Sequence, residues 1–166
     1  LLSSCGRPTE HERSAVISPG EVLWTRADLY DGKRVTLTSP RRLLRLDYNE
    51  DEVEIHNENN HAIKLDVIPP ASVLWRPDGK GVAINNGNGS GQMSDLILMR
   101  GDLSFISEAG SQLKSYFLKY SGCRADPNTV SILAEGWSAD SSTLWVRFES
   151  WDRIAFCDST LVGFAQ

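Results

Sequence analysis

Apolar and β-branched residues in this chain fall in short runs that mostly alternate with polar ones and are bounded by turn-forming residues. Runs at 21–29, 34–38, 42–47, 52–57 and 62–67 are separated by Asp31-Gly32, Ser39-Pro40, Asn49-Glu50-Asp51 and Asn59-Asn60. Such spacing leaves no room for crossover helices, so it predicts antiparallel hairpins. Further strands are predicted at 72–76, 81–85, 95–100, 130–135, 144–149 and 154–158. One segment departs from this pattern. Ser107-Glu108 is followed by Leu113, Tyr116, Phe117 and Tyr120 at helical spacing and then by Gly122, which predicts a helix over 108–121 whose apolar stripe faces the core.

A gapless internal match raises the reading above "mostly β". The segment from Val73 through Trp75, Pro77-Asp78-Gly79-Lys80 and Val82 to Ile84 aligns with the segment from Glu135 through Trp137, Asp140 and Leu144 to Val146 at an offset of about 62. Pro presets one dihedral, Asp accepts hydrogen bonds from nearby amides, and Gly supplies a positive φ. Each copy therefore reads as strand, tight turn, strand.

Trp75-Arg76-Pro77-Asp78-Gly79-Lys80 followed by an alternating apolar strand resembles the repeat of the Tol-system and WD-type β-propellers. In that family the turn joins the first two strands of a blade, and Ser94 to Met99 resembles the third. The second copy also approaches the Asp-box of sialidase propellers but lacks its Gly and the Thr before Trp. A closed propeller has at least four blades of about 40–45 residues, and this chain has material for two or three, interrupted by a helix. The resemblance thus implies an incomplete propeller, completed by oligomerisation or by a longer chain. The other arrangement compatible with the pattern is a two-sheet sandwich.

Composition narrows the function classes. At 166 residues, 40% hydrophobic and 23% charged, the chain suits one globular domain. A net charge of −5 and a pI near 5.2 argue against nucleic acid as a partner. No run of eighteen apolar residues marks a membrane span. Residues 6–20 carry two prolines and two glycines without an apolar period and read as a tether, which puts the domain at 21–166.

Leu1-Leu2-Ser3-Ser4-Cys5-Gly6 resembles the lipobox of bacterial lipoproteins, whose cysteine is diacylated through sulfur before signal-peptide cleavage. The resemblance implies lipid attachment, palmitate among the acyl chains, at Cys5, and location in the cell envelope on the periplasmic face of the outer membrane or at the cell surface. More than one acyl chain is the condition for stable anchoring. Cys123 and Cys157 remain as an even pair, either a disulfide or two buried thiols.

Candidate chemistry weighs against catalysis. The stretch from Asp47 to Glu58 mimics a calcium loop but has Glu52 where Gly is needed, so it reads as an acidic hairpin. His56 and His61 would make an incomplete ligand set even if a hairpin faced them together. Gly87-Asn88-Gly89-Ser90-Gly91 satisfies neither the dinucleotide fingerprint nor the P-loop, and Ser90 lacks the flanking glycines of a nucleophile elbow. Arg41-Arg42 and Arg45, interleaved with leucines, read as the solvated face of a strand. Trp75, Trp137, Trp145, Trp151 and Tyr48 read as core. No cofactor, metal or catalytic set is expected. The function expected is a non-enzymatic envelope scaffold that engages a protein partner, with homo-oligomerisation as one way to complete its fold. Its contact loops would carry Asn86, Asn88, Ser90 and Gln92, with Arg124 and Asp126. The alternative expectation is an inhibitor of, or immunity protein against, a cell-wall hydrolase such as lysozyme.

Overall fold

A computed structural model describes residues 22–23, 26–30, 33–49, 52–87, 94–104, 109–150 and 160–165. Twelve described strands form three antiparallel sheets of four. Sheet I is β3 (Val35–Thr38), β4 (Leu44–Asn49), β5 (Glu52–Asn57) and β6 (Ala62–Leu65) in chain order. Sheet II runs β2-β7-β8-β9, from β2 (Arg26–Leu29), β7 (Ile68–Trp75), β8 (Gly81–Gly87) and β9 (Ser94–Arg100). Sheet III runs β1-β10-β11-β12, from β1 (Val22–Leu23), β10 (Val130–Ser138), β11 (Thr143–Ser150) and β12 (Thr160–Ala165). One helix, α1 (Ala109–Ser121), joins sheet II to sheet III.

Sheet II is the middle layer, and its sequence shows why. Residues 71–75 and 81–85 are buried without alternation, the pattern of strands covered on both faces. One face gives Val73, Trp75, Val82, Ile84 and Met99 to a core shared with Leu44, Leu46, Tyr48, Val53 and Ile55 of sheet I. The other gives Leu74, Ala83, Leu96 and Leu98 to a core shared with Ile132, Trp137, Leu144, Val146 and Phe148 of sheet III. Sheet I, by contrast, alternates buried and open positions along β4 and keeps one polar face.

The mostly-β class, the antiparallel hairpins and the helix agree with the sequence expectation, and the sheets number three. The two matched segments adopt the same register, Trp75 opposite Val82 and Trp137 opposite Leu144. Two details differ, and a third expectation is not described. The run at 21–29 divides between β1 and β2, in different sheets, because an extended segment can pair with two partners in succession. The strand expected from residue 42 starts at Leu44, after a 3-10 turn at Pro40–Arg42. The strand expected at 154–158 lies outside the described residues, and β12 follows at Thr160.

Helix α1 ends at Gly122, whose φ of +70° suits a helix terminus. Leu113 and Phe117 are buried, and the Phe117 ring stacks on Phe148 at 4.6 Å. Burying two such side chains contributes about 1.5–3 kcal/mol each. Tyr116 and Tyr120, expected in the same core-facing stripe, are instead 57% and 63% exposed. Residues 113 and 117 make one row and 116 and 120 the next, and only the first fits beneath the helix. The salt bridge from Lys114 Nζ to Asp95 Oδ1, 2.7 Å, fixes α1 on β9.

Candidate functional site

The hairpin turns of the three sheets meet at one end of the molecule. The Asp78 N–H donates to Ser141 Oγ at 3.0 Å, tying the β7–β8 turn to the β10–β11 turn. The Gly101 N–H donates to Lys80 O at 2.9 Å, adding the segment after β9. On the other side, Gly79 lies against the turn that joins β3 to β4: a Cβ at residue 79 would stand 2.0 Å from Pro40 O.

That β3–β4 turn is strained and closely held. Arg41 and Arg42 adopt φ values of 62° and 57°, which costs an L-residue about 1–2 kcal/mol each. Buried Ser39 imposes the geometry. Its N–H donates to Leu44 O at 2.9 Å, its Oγ accepts from the Leu44 N–H at 2.9 Å, and its carbonyl accepts from the Arg42 N–H at 3.0 Å. Backbone strain of this kind persists only where surrounding structure overdetermines it.

Opposite stands the β5–β6 hairpin. Asn57 Oδ1 accepts from the N–H groups of Asn59 and His61 at 3.1 and 3.0 Å, a side-chain turn that holds the tip. A cleft of about 460 Å³ on one side of this tip is lined by Leu43, Glu58, His61, Lys80 and Asp102, among others. A second, of about 300 Å³, is lined by Thr38, Arg42, Arg45, His56, Glu58 and Asn60, among others. Hydrogen bonds from the Ser104 hydroxyl at 2.6 Å and the Ser104 N–H at 2.9 Å hold the Asp102 carboxyl below its ordinary range.

The polar face of sheet I leads into the second cleft. Asp47 is its hub: Oδ1 accepts from Thr36 Oγ1 at 2.8 Å and Oδ2 from Arg45 Nε at 2.9 Å. His56 Nε2 lies 3.3 Å from Asp47 Oδ2 and 3.5 Å from Glu54 Oε2. Lys64 Nζ contacts both Glu52 oxygens, at 2.8 and 2.9 Å. The Arg41 and Arg42 side chains have no hydrogen-bond or ion-pair partner among the described residues.

The sequence-nominated positions divide between this end and the opposite one. Asp47 pairs with Glu54 inside sheet I, so the stretch from Asp47 to Glu58 is a strand pair. His56 faces Ala62 across the strands while His61 sits in the turn, so the two histidines are not a facing pair. β8 runs away from the turn end and β10 runs toward it, so Asn86, Arg124 and Asp126 lie at the opposite end. There Asn86 Oδ1 accepts from the Ile68 N–H at 2.7 Å and its Nδ2 donates to Asp66 O at 3.2 Å, so its amide anchors β7. Asp126 caps the 3-10 turn at Pro127–Thr129 by accepting from the Asn128 N–H at 2.8 Å. Arg124 is exposed. Cys123 is disulfide-bonded, and Cys5, Cys157, Asn88, Ser90, Gln92 and Trp151 lie outside the described residues.

Trp75, Trp137 and Tyr48 are core residues, 5%, 1% and 2% exposed, and Trp145 is partly buried. Sequence reasoning missed the strained arginine turn, although Ser39-Pro40 ahead of two arginines was its signal. Among the described residues, no group of three or more His, Cys, Asp or Glu is arranged to hold a metal ion, and no helix is long and apolar enough to cross a membrane. No protein-family model matches the chain, and neither a curated protein nor a solved structure matches it significantly.

Proposed function

We propose that this chain is a non-enzymatic binding module of the bacterial cell envelope, lipid-anchored through Cys5, that engages a protein partner through the loops at 86–94 and 124–128. The observation that carries the reading is the bracing of three sheets into one stack, with both nominated loops leaving the same end of it. A rigid frame with variable loops is the usual arrangement for recognition. Asn86 and Asp126 hydrogen-bond within the frame, and Arg124 offers an exposed charge for contact. The disulfide at Cys123 supports an oxidising compartment, and we pair it with Cys157.

Site-specific photo-crosslinking in the intact native cell tests the contact surface. A photoreactive residue at Asn88 or Arg124 is expected to give one discrete adduct, while one at Lys64, on the polar face of sheet I, gives none. Equal labelling at all three sites, or none at the loops, would refute the reading. Intact mass of the membrane-extracted protein tests the anchor: a diacylglyceryl adduct at Cys5 supports it and an unmodified thiol removes it.

A further inference from the structure

The strongest concentration of unassigned chemistry lies at the other end, in the cleft between the Ser39–Leu44 turn and the β5–β6 hairpin. We propose that this cleft binds an oxyanion group of the phosphate type, with Arg42 as principal ligand and Arg41 and Arg45 beside it. Three independent features lead there. In a chain of net charge −5, Arg41, Arg42 and Arg45 are gathered in five residues, and two of the three guanidiniums have no partner among the described residues. The backbone beneath them is held in a costly left-handed conformation that Gly or Asn would adopt with less strain, yet the chain carries arginine at both positions. An open cavity of about 300 Å³ is lined by Arg42 and Arg45, with Arg41 next to Arg42 in the chain, and also by the hydrogen-bonding side chains of Thr38 and Asn60.

The chemistry of the lining selects the ligand class. Guanidinium forks bind phosphate oxygens in pairs with good geometry. Arg45 is already oriented by Asp47 at 2.9 Å and so presents its remaining N–H groups in a fixed direction. Glu58 stands on the cleft wall and disfavours a ligand that crowds the hairpin tip, which favours a compact terminal group over a continuous polyanion. A free phosphate monoester and a phospholipid headgroup share this chemistry. The surface is distinct from the loops proposed to hold a protein partner, so either inference can fail alone.

The test uses the 166-residue chain without its lipid. Arginine Nε–Hε resonances are followed during titration with inorganic phosphate. In parallel, co-sedimentation is measured with phosphatidylglycerol vesicles and with phosphatidylcholine vesicles at low and moderate salt. The expected result is a saturable shift of the Arg42 resonance, or binding to the anionic vesicles alone, weakened about tenfold in Arg42→Gln and unchanged in Arg124→Gln, which removes the same charge at the opposite end. Phosphate binding without vesicle binding assigns a soluble ligand, and vesicle binding without phosphate binding assigns a headgroup. Arg42→Gly supplies a folding control: its Tm should hold or rise by about 2–4 °C while binding is lost. Absence of both kinds of binding, or equal loss in Arg42→Gln and Arg124→Gln, overturns the proposal.

Discussion

The two hairpins that share a sequence pattern, β7–β8 in the middle sheet and β10–β11 in an outer one, have the same register and put their left-handed turn residues to opposite uses. At Gly79, φ +75°, a side chain is forbidden because Pro40 O occupies its place. At Ser141, φ +64°, a side chain is required because its Oγ receives the Asp78 N–H. The aspartates diverge as well. Asp140 Oδ1 accepts from Ser138 Oγ, the Ser142 N–H and Ser142 Oγ, all within its own turn. Asp78 accepts from the Lys80 N–H at 2.9 Å and lies 3.3 Å from Arg76 Nε. One turn is shaped by what crowds it, the other by what it must reach.

The strands continue the contrast. In the middle sheet, Asn85 donates from Nδ2 to Ala134 O at 2.9 Å and to Ser72 Oγ at 3.0 Å, and its Oδ1 accepts from the Ala134 N–H at 2.7 Å. The partner backbone is at the bulge between Ala134 and Gly136 in β10, where the local ladder is interrupted. The matched position in the outer sheet is Arg147, which pairs with Glu135 and with Glu149. A buried amide docks the next layer where a layer follows, and a charged side chain stands where the described stack ends. Position in the stack, rather than the hairpin pattern, selects the residue.

The largest effect is expected at the crowded turn. Gly79→Ala should destabilise by about 2–5 kcal/mol, combining left-handed strain with a backbone clash, whereas Ser141→Gly should lose only about 1 kcal/mol because relief of strain offsets the lost hydrogen bond. Denaturant unfolding of the pair checks this, and equal losses would break the contrast. Next comes Asn85→Ala, expected to cost about 3 kcal/mol by leaving the buried Ala134 N–H and C=O unpaired. Chemical denaturation measures it, and a loss below about 1 kcal/mol would show the amide to be dispensable.

The smallest effect concerns Asp140, whose carboxyl is lowered to about 2, first by the Ser138 hydroxyl and then by the Ser142 N–H and hydroxyl. Its folded value lies below the ordinary one near 3.9, so its contribution is complete above that ordinary value and disappears as pH falls through about 2. The Tm gap between the natural protein and Asp140→Asn should therefore be constant from pH 7 to about pH 5 and close toward pH 2. A gap that widens with acid would contradict the assignment.

Local chemistry made the hairpins legible. Pro77-Asp78-Gly79 and the alternation around it predict β7–β8, and Leu113 with Phe117 predicts α1. Pairings between distant segments were not legible. Nothing local marks residues 22–29 as divided between two sheets, or Asn85 as the partner of a bulge 49 positions away. The strained Arg41-Arg42 turn read as the start of a strand because alternation does not reveal the Ser39–Leu44 bonds that hold it, and its close approach to Gly79 joins residues far apart in the chain. The candidate cleft was hidden for the same reason: it forms only when the β3–β4 and β5–β6 turns are brought together.

Amide hydrogen exchange at Ala134 tests the layered arrangement most directly, since that N–H donates to a side chain of another sheet. In the natural protein it should exchange as slowly as the core amides of Ile84 and Val146, and in Asn85→Ala it should exchange at least tenfold faster while those two change only with global stability. Rapid exchange at Ala134 in the natural protein would contradict the account.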